Sequence, residues 1–294
     1  MSSDKLFAKK SLGQHFLHSP SALKKIIDAA NLKTDETVLE IGPGTGILTE
    51  ALLKSGAKVV AVEKDARSIE LLKEKFASFI ENRTLTLISG DILEMTAELE
   101  DNKYALVANI PYYITGAILE KFLQYEPRPN RAVILVQKEV AERIVARDGK
   151  ESILSISVKA FGTPKIVAIV PRGAFVPPPN VDSAILEIDN ISDQQFGLSN
   201  IQRLASKHQE VRPVNGSITR FFEVLKAGFA HKRKYAIRNI EAIFNSNNGI
   251  ANGEKSNKEG AEKLIKIWEE IGLNEKIRAE EINTSQWIKI AELL

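Results

Sequence analysis

Three sets of residues in this chain have types and spacings that suit them to chemistry. The first is Gly42-Pro43-Gly44-Thr45-Gly46, three glycines at alternate positions directly after the apolar run Val38 to Ile41. Glycines so placed let the backbone turn sharply and let a ligand reach its N–H groups with no Cβ in the way. The second is a set of acids: Glu40, two residues before the first glycine; Glu63, seventeen residues beyond Gly46; and Asp91, after Ser89-Gly90. An acid about 20 residues past a glycine turn is spaced to accept both hydroxyls of a ribose. Asp91 can receive an amino group of a purine, although Gly-Asp is also a common turn. The third set is Asn109-Ile110-Pro111-Tyr112. The exocyclic N6 of adenine is a poor nucleophile because its lone pair is delocalised into the ring. An Asn side-chain oxygen, with a backbone carbonyl held by the proline turn, can accept both N6 hydrogens and help the nitrogen pyramidalise. Tyr112 supplies a face on which an extruded base can stack; a β-turn with a buried tyrosine is the alternative.

The elements around these residues alternate. Val38 to Ile41 is a short β run, and a helical pattern starts at Ile47, so strand, glycine turn and helix form the first unit of a nucleotide-binding α/β fold. The dinucleotide fingerprint G-x-G-x-x-G would need its third glycine where Ile47 stands. Glu40 followed by Gly42, Gly44 and Gly46 is instead the acidic-x-G-x-G-x-G pattern of S-adenosylmethionine (SAM) methyltransferases, with an NAD site or a structural turn as alternatives. Further strands are expected at 58–63, 84–88, 104–108, 131–136, 166–170 and 184–188, and helices at 20–30, 65–79 and 151–161, with another ending near 147–149. Asp91 then falls at the C-terminal edge of a strand, where open α/β sheets place their ligands. Phe175-Val176-Pro177-Pro178-Pro179-Asn180 reads as an extended loop. Phe175 at its entrance is either a second stacking surface or a hydrophobic anchor. Lys9 to Leu17 is either a flexible basic arm or a lid over the cofactor.

From about residue 190 the pattern changes to helices only, which puts a domain boundary between 1–189 and 190–294. The chain's 294 residues carry a net charge of only +2, but the charge is uneven. Residues 203–238 hold nine Lys/Arg against Glu210 and Glu223, whereas 239–294 hold seven against ten acids. The densest cluster, Lys232-Arg233-Lys234, follows a helix over 217–230 and has Phe221, Phe222, Phe229 and Tyr235 as neighbours, which favours RNA contact over a solvated face. Residues 245–260, rich in Asn, Gly, Ser and Lys, read as a loop. The chain has no cysteine, which excludes disulfides and thiolate metal sites and fits a reducing cytoplasm. No run approaches the ~18 apolar residues of a membrane helix, and the polar start, Met1 to Lys10, is no signal peptide.

Taken together, Gly13-Gln14-His15-Phe16-Leu17, Glu40 to Gly46, Asn109 to Tyr112, Val176 to Ser183, Gly228 to Lys234 and Arg278-Ala279-Glu280 resemble the KsgA family. These are the small-subunit ribosomal RNA adenine-N6,N6-dimethyltransferases. The resemblance implies a Rossmann-like SAM-dependent methyltransferase domain with a small all-α C-terminal domain. It implies transfer of two methyl groups to each of two adjacent adenosines near the 3′ end of the small-subunit RNA, coupled to subunit maturation. By position, His15, Leu17, Gly42, Gly44, Glu63, Asp91 and Asn109 would line the SAM site, and Tyr112 and Phe175 would sandwich the target base. His15 stands where Asn is frequent in the family. Lys232, Arg233 and Lys234 would grip the RNA. The expected reaction is direct in-line displacement by a cytoplasmic monomer, leaving S-adenosylhomocysteine, with no metal. A resistance-type large-subunit rRNA methyltransferase shares both core motifs; the basic segment and Arg278-Ala279-Glu280 argue against it. A DNA adenine methyltransferase would more typically carry N-P-P-Y or D-P-P-Y. An RNA-binding assembly factor on the same fold would not need the intact Gly42–Gly46, Glu63 and Asn109–Tyr112 set.

Overall fold

The computed structural model describes residues 13–95, 103–197, 216–247 and 253–294, which form two compact units. The first unit is built on seven strands: β2 (Thr37–Ile41), β3 (Lys58–Glu63), β4 (Leu85–Ser89), β5 (Tyr104–Asn109), β6 (Arg131–Gln137), β7 (Thr163–Val170) and β9 (Ser183–Asp189). Their order across the sheet is β4-β3-β2-β5-β6-β9-β7. The first five are parallel, while β9 runs antiparallel to both β6 and β7. Strands β2, β5 and β6 are almost continuously apolar and buried, as expected where both faces of a sheet are covered. After β4 the chain returns to the far side of β2 as β5, so the winding reverses between these two strands. That switch point leaves a crevice beyond their C-terminal ends, which carry the glycine loop and Asn109.

Local signals account for the flanking helices. Helix α1 (Pro20–Ala30) starts at Ser19, whose hydroxyl accepts from Ala22 N–H, has proline in its first turn, and stops where Asn31 turns left-handed at φ 43°, all standard terminal chemistry. Helix α2 (Ile47–Lys54) follows the glycine loop directly. The single helix expected over 65–79 is instead two, α3 (Ala66–Lys75) and α4 (Ala77–Glu81). The break is at Phe76, which leaves helical geometry at φ −117°, ψ 25° and is buried. A small ribbon pairs β1 (Phe16–Leu17) antiparallel with β8 (Phe175–Val176). Two further helices, α5 (Thr115–Gln124) and α6 (Lys138–Val145), complete this unit.

The second unit contains α7 (Ile153–Lys159), α8 (Gly216–Gly228), α9 (Ala236–Asn247), α10 (Gly253–Ile271) and α11 (Thr284–Leu293). It takes in residues 146–161 as well as 193–294, whereas a single cut at 189/190 gives 146–161 to the first domain. The reason is packing: the Phe161 ring stacks on Phe222 and lies 5.3 Å from Phe196, centroid to centroid. Glu151 N–H also donates to the Glu280 carbonyl at 2.8 Å. The loop expected over 245–260 is corrected in part. Residues 253–260 are the first turns of α10, where Glu and Lys favour helix and Leu264, Ile267 and Trp268 further along bury one face. Arg203, Lys207 and Arg212 of the basic stretch lie outside the described residues, as do Lys9 to Leu12 and residues 248–252.

The last turn of α8 meets the indole of Trp287, which is fully buried. A Cβ added at Gly228 would lie 2.1 Å from that ring, so no side chain fits without moving α8 from α11. Gly228→Ala should therefore cost about 1–3 kcal/mol through overpacking, lowering the urea midpoint, whereas Gly216→Ala, with nothing within 4 Å, should leave it in place.

Candidate active site

The crevice at the switch point is a cleft of about 210 Å³ whose walls include the glycine loop, Glu63, Asp91, Asn109, Tyr112 and the segment from Gly13 to Leu17. Gly42, Gly44 and Gly46 all have positive φ, at 67°, 58° and 76°, so the sharp turn read from the sequence is formed. The three glycines are not equivalent. A Cβ at Gly44 would sit 2.9 Å from the Phe16 ring, and one at Gly46 would strike Phe76 and Leu72, whereas a Cβ at Gly42 would meet nothing within 4 Å. Gly42 and Gly44 both line the cleft, and at Gly44 the space a side chain would need is taken by the protein's own Phe16. The segment read as arm or lid thus lies against the loop from Phe16 onward.

The acids are placed by the ends of parallel strands. Glu63, at the end of β3, is 6% exposed. Its carboxylate accepts from Gly44 N–H (3.0 Å) and Asp65 N–H (2.8 Å). Burial raises its pKa, and the two N–H donors oppose that rise. Asp91 accepts from Lys64 Nζ at 2.7 Å and from Leu93 N–H at 3.0 Å, and the lysine contact holds its pKa below the ordinary value. Both carboxylates line the cleft. Lys64 and Asp65 were not singled out in the sequence. The only signal for Lys64 is its position directly after Glu63, whereas Asp65, an aspartate just ahead of a helix, carries the signal of an N-cap.

Asn109 ends β5 beside the cleft, and its Nδ2–H donates to the His15 carbonyl at 3.1 Å. That bond fixes the amide and leaves Oδ1 as an acceptor. The Tyr112 hydroxyl bonds Ser183 Oγ at 2.6 Å, which anchors its ring from the start of β9. The His15 ring stacks on Tyr112, with centroids 5.9 Å apart and planes 20° from parallel. Leu17 is buried under the cleft. Phe175 does not join them. It is 2% exposed, paired through its backbone with Leu17 in the ribbon, and packed in the core. In this structure its ring serves as a hydrophobic anchor.

In the second unit, Lys232, Arg233 and Lys234 occupy the exposed turn between α8 and α9. The aromatic neighbours are mostly not beside them at the surface: Phe221 and Phe222 are core residues and only Tyr235 is exposed. Asn239, buried and missed in the sequence, holds the turn by donating from Nδ2 to the carbonyls of Gly228 (2.6 Å) and His231 (3.1 Å). Among the described residues no group of three or more His, Asp or Glu side chains is placed to hold a metal. No described helix is long and apolar enough to cross a membrane.

Residues 6–272 match the family model for ribosomal RNA adenine dimethylase. The chain belongs to that family. It is 39% identical to a ribosomal RNA small subunit methyltransferase A from Dehalococcoides mccartyi, over 97% of this chain and 88% of that one. It is 36% identical to the protein of the same name from a Nostoc species, over 97% of each chain. Among solved structures, a dimethyladenosine transferase from Plasmodium falciparum superposes with a TM-score of 0.74 at 28% identity, covering 94% of this chain and 96% of that one. The 23S rRNA methyltransferase ErmE superposes at 0.67 with 23% identity over 95% and 99%, and shows the shared fold.

One group in this dimethylase-family cleft stands apart. Glu40 is 1% exposed and lines the cleft, with Thr49 beside its carboxyl. Burial pushes its pKa from 4.5 to about 8; hydrogen bonding to Thr49 opposes the rise and the charge of Glu63 adds to it. Between those values the folded protein holds a proton that the unfolded chain has lost. Stability should therefore fall as pH rises through this window, by at most about 1.4 kcal/mol per unit. Glu40→Gln removes the titration. Its urea-unfolding free energy, measured without cofactor, should exceed the parent's by more at pH 8 than at pH 5, and a difference independent of pH would contradict the assignment.

Proposed function

We propose that this chain is a SAM-dependent methyltransferase that places two methyl groups on N6 of each of two adjacent adenosines near the 3′ end of small-subunit ribosomal RNA, as a step in subunit maturation. The observation that carries the reading is the placement of Asn109. Its amide is oriented by the His15 carbonyl, at the edge of the same cleft that the glycine loop lines. The names of the bacterial relatives support the small subunit as substrate.

The cleft fits the cofactor. Gly42 offers backbone with open space before it, and Glu63 and Asp91, which line the cleft, would accept ribose hydroxyls and the adenine amine. Bound there, SAM would supply an electrophilic methyl group and depart as S-adenosylhomocysteine. The chain's own part is orientation and amine activation. Asn109 Oδ1 and the carbonyl ahead of Pro111 accept the N6 hydrogens, which directs the nitrogen lone pair out of conjugation. Tyr112, fixed by Ser183, holds the base plane. Orientation of this kind is worth up to ~7–11 kcal/mol in favourable cases. Lys232, Arg233 and Lys234 contribute phosphate contacts, which set register without reading sequence.

Unmethylated small subunits incubated with the protein and SAM should yield N6,N6-dimethyladenosine by nucleoside mass spectrometry, and absence of that product would refute the reading. Asn109→Ala should retain subunit binding while slowing methyl transfer by roughly 10²–10³-fold, as for other preorganised transition-state partners. Unchanged turnover would remove the lone-pair mechanism.

Changing Lys232, Arg233 and Lys234 together to Glu should weaken subunit binding and flatten its salt dependence. Each lost phosphate contact removes about 0.7–0.9 from the slope of log K against log salt. SAM affinity by calorimetry should not change. A variant that keeps its affinity and slope would show the cluster to be only a solvated face.

A further inference from the structure

Phosphate contacts alone do not tell duplex RNA from an unpaired strand, since both present a charged backbone. The basic turn of the second unit carries more than charge. Lys232, Arg233, Lys234 and Tyr235 are four consecutive exposed residues, and Tyr235 leaves 41% of its surface open. The other aromatics nearby are committed to packing: Phe221 and Phe222 are buried, and the Phe229 ring lies 5.8 Å from that of Trp287. The Tyr235 side chain makes no ring contact or hydrogen bond among the described residues. The three cations are uncommitted as well. Arg220 and Arg238 on the flanking helices pair with Glu223 at 3.5 Å and Glu241 at 2.8 Å, whereas Lys232, Arg233 and Lys234 have no ion-pair partner among the described residues. The backbone that carries them is fixed. Asn239 Nδ2 donates to the Gly228 and His231 carbonyls, Lys234 N–H donates to the His231 carbonyl at 3.0 Å, and the Tyr235 carbonyl accepts from Arg238 N–H at 3.1 Å and Asn239 N–H at 3.2 Å. A phenol ring and three free cations are thus displayed on a preformed turn, which spares the ordering cost of binding.

We propose that this turn is a binding site for an unpaired nucleotide of RNA, with Tyr235 stacking on the base while Lys232, Arg233 and Lys234 hold the phosphates on either side of it. The inference rests on the proposed function only in taking RNA as the partner. Inside a duplex each base is covered by its neighbours and offers no face to a side chain, so an aromatic platform gains contact only with a base in a loop, a bulge or a single strand. Every base has such a face, so the stacking contribution is indifferent to sequence, and it is carried by no charge, so it is indifferent to salt. The turn therefore selects by strand form: the cations supply attraction to any RNA, and the ring adds affinity only where a base is free. Tyrosine suits an exposed platform of this kind because its ring can be covered while its hydroxyl stays in water.

The test uses Tyr235→Ala, Tyr235→Phe and Tyr235→Leu in the full-length protein, with binding to unmethylated small subunits measured at several salt concentrations. Tyr235→Ala should weaken binding roughly 5–150-fold by the same factor at every salt concentration, so that its plot of log K against log salt runs parallel to the parent's. Tyr235→Phe, which keeps the ring, should bind like the parent. Tyr235→Leu, which keeps apolar bulk but has no flat face, should bind like alanine. The same variants are then compared on a short single-stranded RNA and on a duplex with the same number of phosphates, in a Tyr112→Ala background so that the cleft contributes no stacking. Tyr235→Ala should lose affinity for the single strand and none for the duplex. Equal losses on both probes, a changed salt slope, or recovery by leucine would overturn the proposal in favour of a role in shaping the turn. Competition by polyglutamate as effective as competition by the single strand would overturn it in favour of an acidic protein partner. Subunits methylated by the parent but bound equally well by Tyr235→Ala would remove this site and leave the proposed function in place. A parent that met every binding expectation and made no dimethyladenosine would remove that function and leave this site standing.

Discussion

The site depends on the carboxylate of Glu63, held between two backbone N–H groups. One comes from Gly44 in the glycine loop and the other from Asp65, the N-cap of α3. A carboxylate so buried would be costly without such donors, because desolvation favours its neutral form. With them it joins the ends of β2 and β3 at the mouth of the sheet. Asp65 extends the linkage: it caps α3 through Arg67 N–H, takes the Arg67 guanidinium through Nη2 at 2.6 Å, and accepts from Gln14 Nε2 at 3.2 Å. Through Gln14 the same network reaches the segment carrying His15, and through His15 it reaches Asn109 on β5. The two sides of the switch point are thus joined by polar contacts above the largely apolar strands of the sheet.

This arrangement explains why the segment from Gly13 to Leu17 matters more than its length suggests. Phe16 fills the space over Gly44, Leu17 is buried in the core and paired with Phe175, and His15 faces Tyr112. Alternation along an extended strand sends successive side chains to opposite faces, so His15 and Leu17 cannot be replaced by shifting the segment one residue without turning the apolar anchors into the cleft. The ribbon with β8 fixes that register. The glycine loop and this segment therefore form one unit: glycine at 44 is required by Phe16, and Phe16 is held there by the ribbon.

The second unit is organised differently, around aromatic packing. Phe161, Phe196, Phe221 and Phe222 form a chain of ring contacts. Trp287 fits against Gly228 where α8 ends. The basic turn that follows is braced by a buried amide, Asn239, together with backbone hydrogen bonds such as Lys234 N–H to the His231 carbonyl. Charge is displayed on a scaffold whose interior is apolar, so substitutions of Lys232 to Lys234 bear on surface chemistry and those at Gly228 or Trp287 on folding.

Much of the fold and site was determined locally, and those parts could be read from the sequence. Apolar runs of strand length between turn residues located the strands of the large sheet to within a few residues. Alternate glycines after Ile41 announced the turn, and Asn109-Ile110-Pro111-Tyr112 announced the amide acceptor, because each needs only its own neighbours to be recognised. What tertiary structure alone decided is which surface each side chain meets. Periodicity cannot say that β9 enters antiparallel between β6 and β7, since strand pairing is a contact between distant segments. It cannot say that Phe161 joins the second unit, because its partners Phe196 and Phe222 follow it by thirty-five and sixty-one residues. Nor can it say that Phe175 turns into the core while His15 faces Tyr112, for an aromatic beside a proline loop has the same sequence whether it anchors or stacks. The choice is made by the β1–β8 pairing, which brings residues 16–17 against 175–176 and leaves room in the core for the phenylalanine and room in the cleft for the histidine.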